Sequence, residues 1–136
     1  MSLYLLDTNM VSFILSGRSA TARPRLVSLA PQDRVSISAV TEGELLFGIA
    51  KSPSQPRQQA LKQFLAPFTV YPWDRDAAAA YGVLRARQER LGRKLGPYDT
   101  QIAAHAMALG AILVSHDSAF RRIPHLQVEN WATDIL

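Results

Sequence analysis

Short apolar runs bounded by turn residues alternate with stretches of helical spacing from one end of this chain to the other. Leu3 to Leu6, Val35 to Ser38, Phe68 to Tyr71, Ala111 to Val114 and Leu126 to Glu129 read as strands. Between them, Met10 to Leu15, about Thr21 to Leu29, the segment opening at Thr41, Gln58 to Leu65, Arg75 to Leu91, Pro97 to Leu109 and a short turn at Ser118 to Arg121 read as helices. Asp74 is placed to cap the longest of these, and Gly17, Gly92 and Gly110 to stop three of them. Strands and helices alternating in this way predict an α/β fold in three layers: a mostly parallel central sheet of four to five strands with helices on both faces. The 136 residues are enough for one domain with its own core, so a single domain over residues 1–136 is expected.

That architecture gives meaning to the acidic residues. Parallel strands deliver their carboxyl ends to one edge of the sheet, and the returning helices bring their N-termini to the same edge. Asp7 and Asp117 each follow a predicted strand, while Asp99 and Glu44 each fall near the start of a helix, so the four converge. Such a cluster repels itself and raises its own proton affinity unless a cation neutralises it, which points to a hard divalent metal.

Each acid also has an ordinary explanation. Asp7 and Asp117 suit N-caps, Asp99 suits a first turn, and Thr41 to Glu44 has the form of a capping box. Capping, however, has no need of acids at several ends along one edge, nor of the small polar Asn9 and Ser115 beside them, which suit the orientation of carboxylates. Glu42 and Glu44 compete for one inward place, because residues two apart on a helix face nearly opposite ways. Spacing leaves that choice open. Asp33, Asp74, Asp76, Glu89, Glu129 and Asp134 read as turn, cap or solvent positions. His105, set among alanines, reads as a packed residue, and His116 adjoins the expected pocket.

Fifteen Lys and Arg against eleven Asp and Glu leave a net charge of +4 and a pI near 9.9. With several acids drawn into one pocket, the remaining surface is more basic than that figure and suits an anionic partner such as nucleic acid. Arg85, Arg87, Arg90, Arg93 and Lys94 crowd the end of the long helix just upstream of Asp99, where they suit phosphate contacts. No apolar run approaches the roughly 18 residues of a membrane span, and a strand beginning at Leu3 leaves no room for a signal peptide, so a cytoplasmic protein without membrane contact is expected. The absence of cysteine removes disulfides and thiolate zinc sites from consideration.

With these residues in view the chain resembles the PIN-domain ribonucleases, and among them the VapC toxins of bacterial toxin–antitoxin pairs. The resemblance runs nearly end to end: Tyr4-Leu5-Leu6-Asp7-Thr8-Asn9, Ser38-Ala39-Val40-Thr41-Glu42-Gly43-Glu44-Leu45-Leu46-Phe47-Gly48, Gly96-Pro97-Tyr98-Asp99, and Leu113-Val114-Ser115-His116-Asp117 followed by Phe120. It implies a PIN-like fold and selects Glu44 over Glu42. By the same resemblance Asp7, Glu44, Asp99 and Asp117 hold Mg²⁺ or Mn²⁺ and hydrolyse RNA phosphodiesters, leaving a 3′-hydroxyl and a 5′-phosphate, with Asn9 and Ser115 in support. Structured RNA, often tRNA, is the implied substrate, a VapB-like antitoxin the implied partner, and a homodimer the implied assembly. Ser115 stands where threonine is usual and His116 where asparagine is frequent.

Two rivals use the same fold grammar. A phosphotransfer protein would want a second aspartate two positions after Asp7, where Asn9 stands, or paired acids and a late lysine, which are missing. A non-catalytic RNA-binding module with this fold would be expected to have lost one or more of the four acids.

Overall fold

In the computed structural model, which describes residues 1–93 and 95–136, the strands are β1 (Leu3–Leu6), β2 (Arg34–Ser38), β3 (Thr69–Tyr71), β4 (Ile112–Val114) and β5 (Val128–Glu129). They form one sheet in the order β3-β2-β1-β4-β5, with every pairing parallel. The helices are α1 (Thr8–Ser16), α2 (Ala22–Val27), α3 (Ala39–Lys51), α4 (Gln55–Leu65), α5 (Arg75–Arg90) and α6 (Pro97–Leu109), with a 3₁₀ turn over Ser118–Arg122. None of them is long and apolar enough to cross a membrane.

The apolar runs lack polar alternation because the central strands are covered on both faces. Successive side chains of β1 therefore enter different cores. Tyr4 and Leu6 pack with Met10, Val11, Ile14, Ile37 and Leu61 on one side, and Leu5 packs with Leu113, Ile102, Ala103 and Phe120 on the other. Leu5 and Leu6 are fully buried, each worth roughly 1.5–3 kcal/mol of apolar transfer. Small side chains at Ala103, Ala104 and Ala106 let α6 lie close in this second core, with α5 packed across it.

The strand order reverses between β1 and β4. Connections leave those two strands in opposite directions, so a crevice opens at their carboxyl ends. Asp7 follows β1 and Asp117 follows β4 across it. The Asp7 amide donates to the Val114 carbonyl at 3.1 Å, which extends the ladder one residue past β1 and sets Asp7 beside Ser115.

One expected boundary is different. Helix α3 starts at Ala39, two residues before Thr41, because the Ser38 hydroxyl caps it by accepting from the Val40 amide at 3.0 Å. Thr41 is fully buried within the first turn, so no Thr41–Glu44 capping box exists. Glu44 lies beyond that turn with its carboxylate directed elsewhere.

Candidate active site

Asp7 sits at the bottom of the crevice with 6% of its surface exposed. One of its oxygens caps α1 by accepting from the Met10 amide at 2.8 Å, and Gly17 in the left-handed region ends the same helix. The cap and the site are thus the same residue, since a carboxylate has a second oxygen to offer. Burial, together with the negative charges of Asp99 and Asp117, pushes its pKa from 3.8 up to about 6, against the stabilising contacts of the Ser115 hydroxyl and the Met10 amide. Asp99, half-buried in the first turn of α6, is also raised, by burial first and then by the charges of Asp117 and Glu44. The four acids therefore share one field.

Glu44 is held toward this field by α1, since the Thr8 hydroxyl donates to its Oε1 at 2.7 Å. Glu42 leaves α3 on another side, lining an apolar groove with Leu46, Ile49, Leu61, Leu65 and Val70. Asp117 caps the 3₁₀ turn through Ala119 at 2.9 Å, while its own amide donates to the buried Ser115 hydroxyl at 3.0 Å. Ser115 thereby braces the Asp117 backbone, and its hydroxyl also stabilises the Asp7 carboxylate. Asn9, expected to share that work, is exposed, and the neighbouring Thr8 makes the contact instead. The Asp-Thr-Asn sequence signalled a polar partner but not which of the two side chains turned inward.

Among the described residues no three acidic or histidine side chains stand close enough to enclose an ion as they are. The donor set still fits a hard divalent cation: it is all oxygen, it is anionic, and the strain on Asp7 is of the kind a cation removes.

The histidines lie outside this cluster. His105 is buried, its Nδ1 2.8 Å from the Ser38 Oγ that caps α3, and burial lowers its pKa so that it stays neutral. This bond between α6 and the end of β2 was not legible in the sequence. His116 contacts Asn130 and the Leu136 carbonyl, each at 3.3 Å, and meets Phe13 edge-on. It faces the end of the chain rather than the carboxylates.

The basic group divides. Arg85 is exposed and donates to Glu89 at 3.2 Å and to the Tyr81 hydroxyl at 3.1 Å. Arg87 borders a separate depression with Val83, Met107, Ile123 and Pro124, as expected for residues two apart on a helix. Arg90 and Arg93 are exposed, and Lys94 lies outside the described residues. Arg85 and Arg87 therefore do not share one face.

The model of the PIN domain family matches residues 4–126. The tRNA(fMet)-specific endonuclease VapC of Shigella flexneri is 35% identical over 95% of this chain and 98% of its own length. This chain belongs to the VapC ribonucleases of the PIN-domain family. Ribonuclease VapC2 of Rickettsia felis is 33% identical over 95% of the chain and 98% of its own length. A crystal structure of VapBC2 from Rickettsia felis, bound to a DNA fragment from their promoter, contains a chain that superposes with a TM-score of 0.89 at 32% identity, covering 95% of this chain and 98% of that one.

Proposed function

We propose that this chain is a divalent-metal-dependent endoribonuclease whose working centre is Asp7, Glu44, Asp99 and Asp117, and that residues 1–136 form a single PIN domain. The observation that carries this reading is the shared field of the four acids at the crevice between β1 and β4, which raises Asp7 to about 6 and raises Asp99 as well. A Mg²⁺ or Mn²⁺ ion held there would lower the pKa of an attacking water and offset charge developing on the phosphodiester.

The chain's own residues do the rest. Thr8 holds Glu44, Ser115 accepts from the Asp117 amide and stabilises the Asp7 carboxylate, and the caps engage one oxygen each of Asp7 and Asp117. Arg90 and Arg93 supply positive charge at the approach. The substrate we assign is structured RNA, with tRNA first, since two relatives are named for tRNA(fMet). The superposed structure is of a VapB–VapC complex, which supports a toxin role with a VapB-like antitoxin; we place the protein in the cytoplasm as a homodimer. The apolar groove between α3 and α4 supports docking of such a partner.

The test is cleavage of total RNA and of purified tRNA by antitoxin-free protein, with Mg²⁺ or Mn²⁺ and with EDTA. Cleavage should require the metal and vanish in Asp99→Asn and Asp117→Asn proteins that remain folded. Cleavage persisting in EDTA, or in both variants, would overturn the assignment.

A further inference from the structure

The later turns of α5 and the first turn of α6 enclose a cleft of ≈ 440 Å³, lined by Tyr81, Arg85, Gln88, Leu95, Pro97 and Thr100 among others. That volume lies within the range of about 300–1,000 Å³ typical of sites for small organic groups. Pro97 and Thr100 share a helical turn with Asp99, so the cleft opens around the end of the helix that carries one of the four acids.

Most of its polar wall is already engaged. The Thr100 hydroxyl donates to the Gly96 carbonyl at 2.9 Å, and Arg85 is fixed at the lip by Tyr81 and Glu89. Tyr81 is half-buried and braced against Trp73, with ring centroids 6.1 Å apart and planes at 76°. Gln88 is the exception: it is 5% exposed, and its side-chain oxygen has no hydrogen-bond partner among the described residues. A buried carbonyl that has lost water and gained nothing is unfavourable, and turning the carboxamide toward a donor in the cleft would relieve it.

We propose that this cleft is a subsite for one unpaired nucleobase flanking the phosphate to be cleaved; the proposal rests on the ribonuclease reading above. The Tyr81 ring with Pro97 and Leu95 offers the flat apolar contact that bases favour. Turned toward the cleft, the Gln88 carboxamide would offer an acceptor and a donor in one plane, which matches the adjacent donor and acceptor on a base edge. Four acids can cut any phosphodiester; this cleft would decide which nucleotide stands next to the cut.

The experiment uses Gln88→Met, which keeps length and packing but removes both amide functions, and Gln88→Glu, which keeps an acceptor and removes the donor. In an otherwise inactive Asp99→Asn protein, binding of oligo(A), oligo(C) and oligo(U) is compared with that of an abasic ribose-phosphate oligomer of equal length. We expect the parent to favour its best base over the abasic strand by about tenfold or more, and both Gln88 variants to reduce that ratio to about twofold without changing the salt dependence. Sequencing the ends left by active protein should show a base preference beside the cut that Gln88→Met relaxes. If Gln88→Met does not fold, Gln88→Glu and Tyr81→Leu carry the same comparison. Equal binding of base-bearing and abasic strands, or an unchanged preference in the variants, overturns the proposal; the first result is also what a protein segment or a water in the cleft would give. Because the binding comparison needs no cleavage, failure of the wild type to cut RNA would count against the ribonuclease reading and not against the subsite.

Discussion

Replacing Asp7 by asparagine should make the metal-free protein more stable while destroying its activity. In the fold, the Asp7 carboxyl holds its proton up to about pH 6 instead of 3.8, and each tenfold change in proton affinity corresponds to about 1.4 kcal/mol. The ionised side chain therefore costs the folded state about 3 kcal/mol at neutral pH. The sign follows from linkage. A raised carboxylate pKa means that the folded protein binds more protons than the unfolded chain between pH 3.8 and about 6, so stability is lost as pH rises through that window. Asparagine never ionises and can still accept from the Met10 amide as a cap. In EDTA, Asp7→Asn should melt about 10 °C higher than wild type at pH 7.5, at about 3–4 °C per kcal/mol for a chain of this length. The gain should shrink to about 2 °C at pH 4 and vanish below about pH 3. Thermal unfolding followed by circular dichroism from pH 3.5 to 8 measures this, and added Mg²⁺ should stabilise wild type and leave the variant unmoved. An equal gain at pH 4 and pH 7.5, or none at either, would refute the argument that ionisation of Asp7 is what strains the fold.

Glu44→Gln should lower RNA cleavage by about 10²–10³-fold, the scale of losing one electrostatic group in a working site, whereas Glu42→Gln should stay within about twofold; the reverse order would remove Glu44 from the centre. Asp134 accepts from the Ser19 and Thr21 hydroxyls and the Ala20 amide, contacts that hold its pKa down at about 2. A depressed carboxylate pKa gives stability that is present above the unfolded value and lost as pH falls through the folded one, so Asp134→Asn should lower the melting temperature at pH 7 and differ little from wild type near pH 2. A constant difference across that range would mean that the charge is not what closes the chain end. Neutralising Arg90 and Arg93 together in the Asp99→Asn background should flatten the log–log salt dependence of binding to single-stranded RNA by about 1.4, at roughly 0.7 per lost phosphate contact. An unchanged slope would show that these arginines face away from the substrate.

Short-range chemistry made much of this protein legible before any packing was known. Apolar runs too brief for helices, helical spacing between them and turn residues at the joints required a wound parallel sheet, and that sheet required the residues after β1 and β4 to meet at one edge. Asp7, Asp99 and Asp117 could therefore be placed from their neighbours alone. What tertiary structure decided was direction. Whether Glu42 or Glu44 turned inward depended on α3 starting at a Ser38 cap and on Thr8 reaching across from α1, neither of which leaves a mark in local spacing. The same holds for Thr8 in place of Asn9 and for the bond from His105 to Ser38. The proton affinity of Asp7 belongs to this second class as well, because it is set by burial and by the charges of Asp99 and Asp117. Sequence can name acids that will share an edge, but the field they exert on one another exists only once the chain has folded around them.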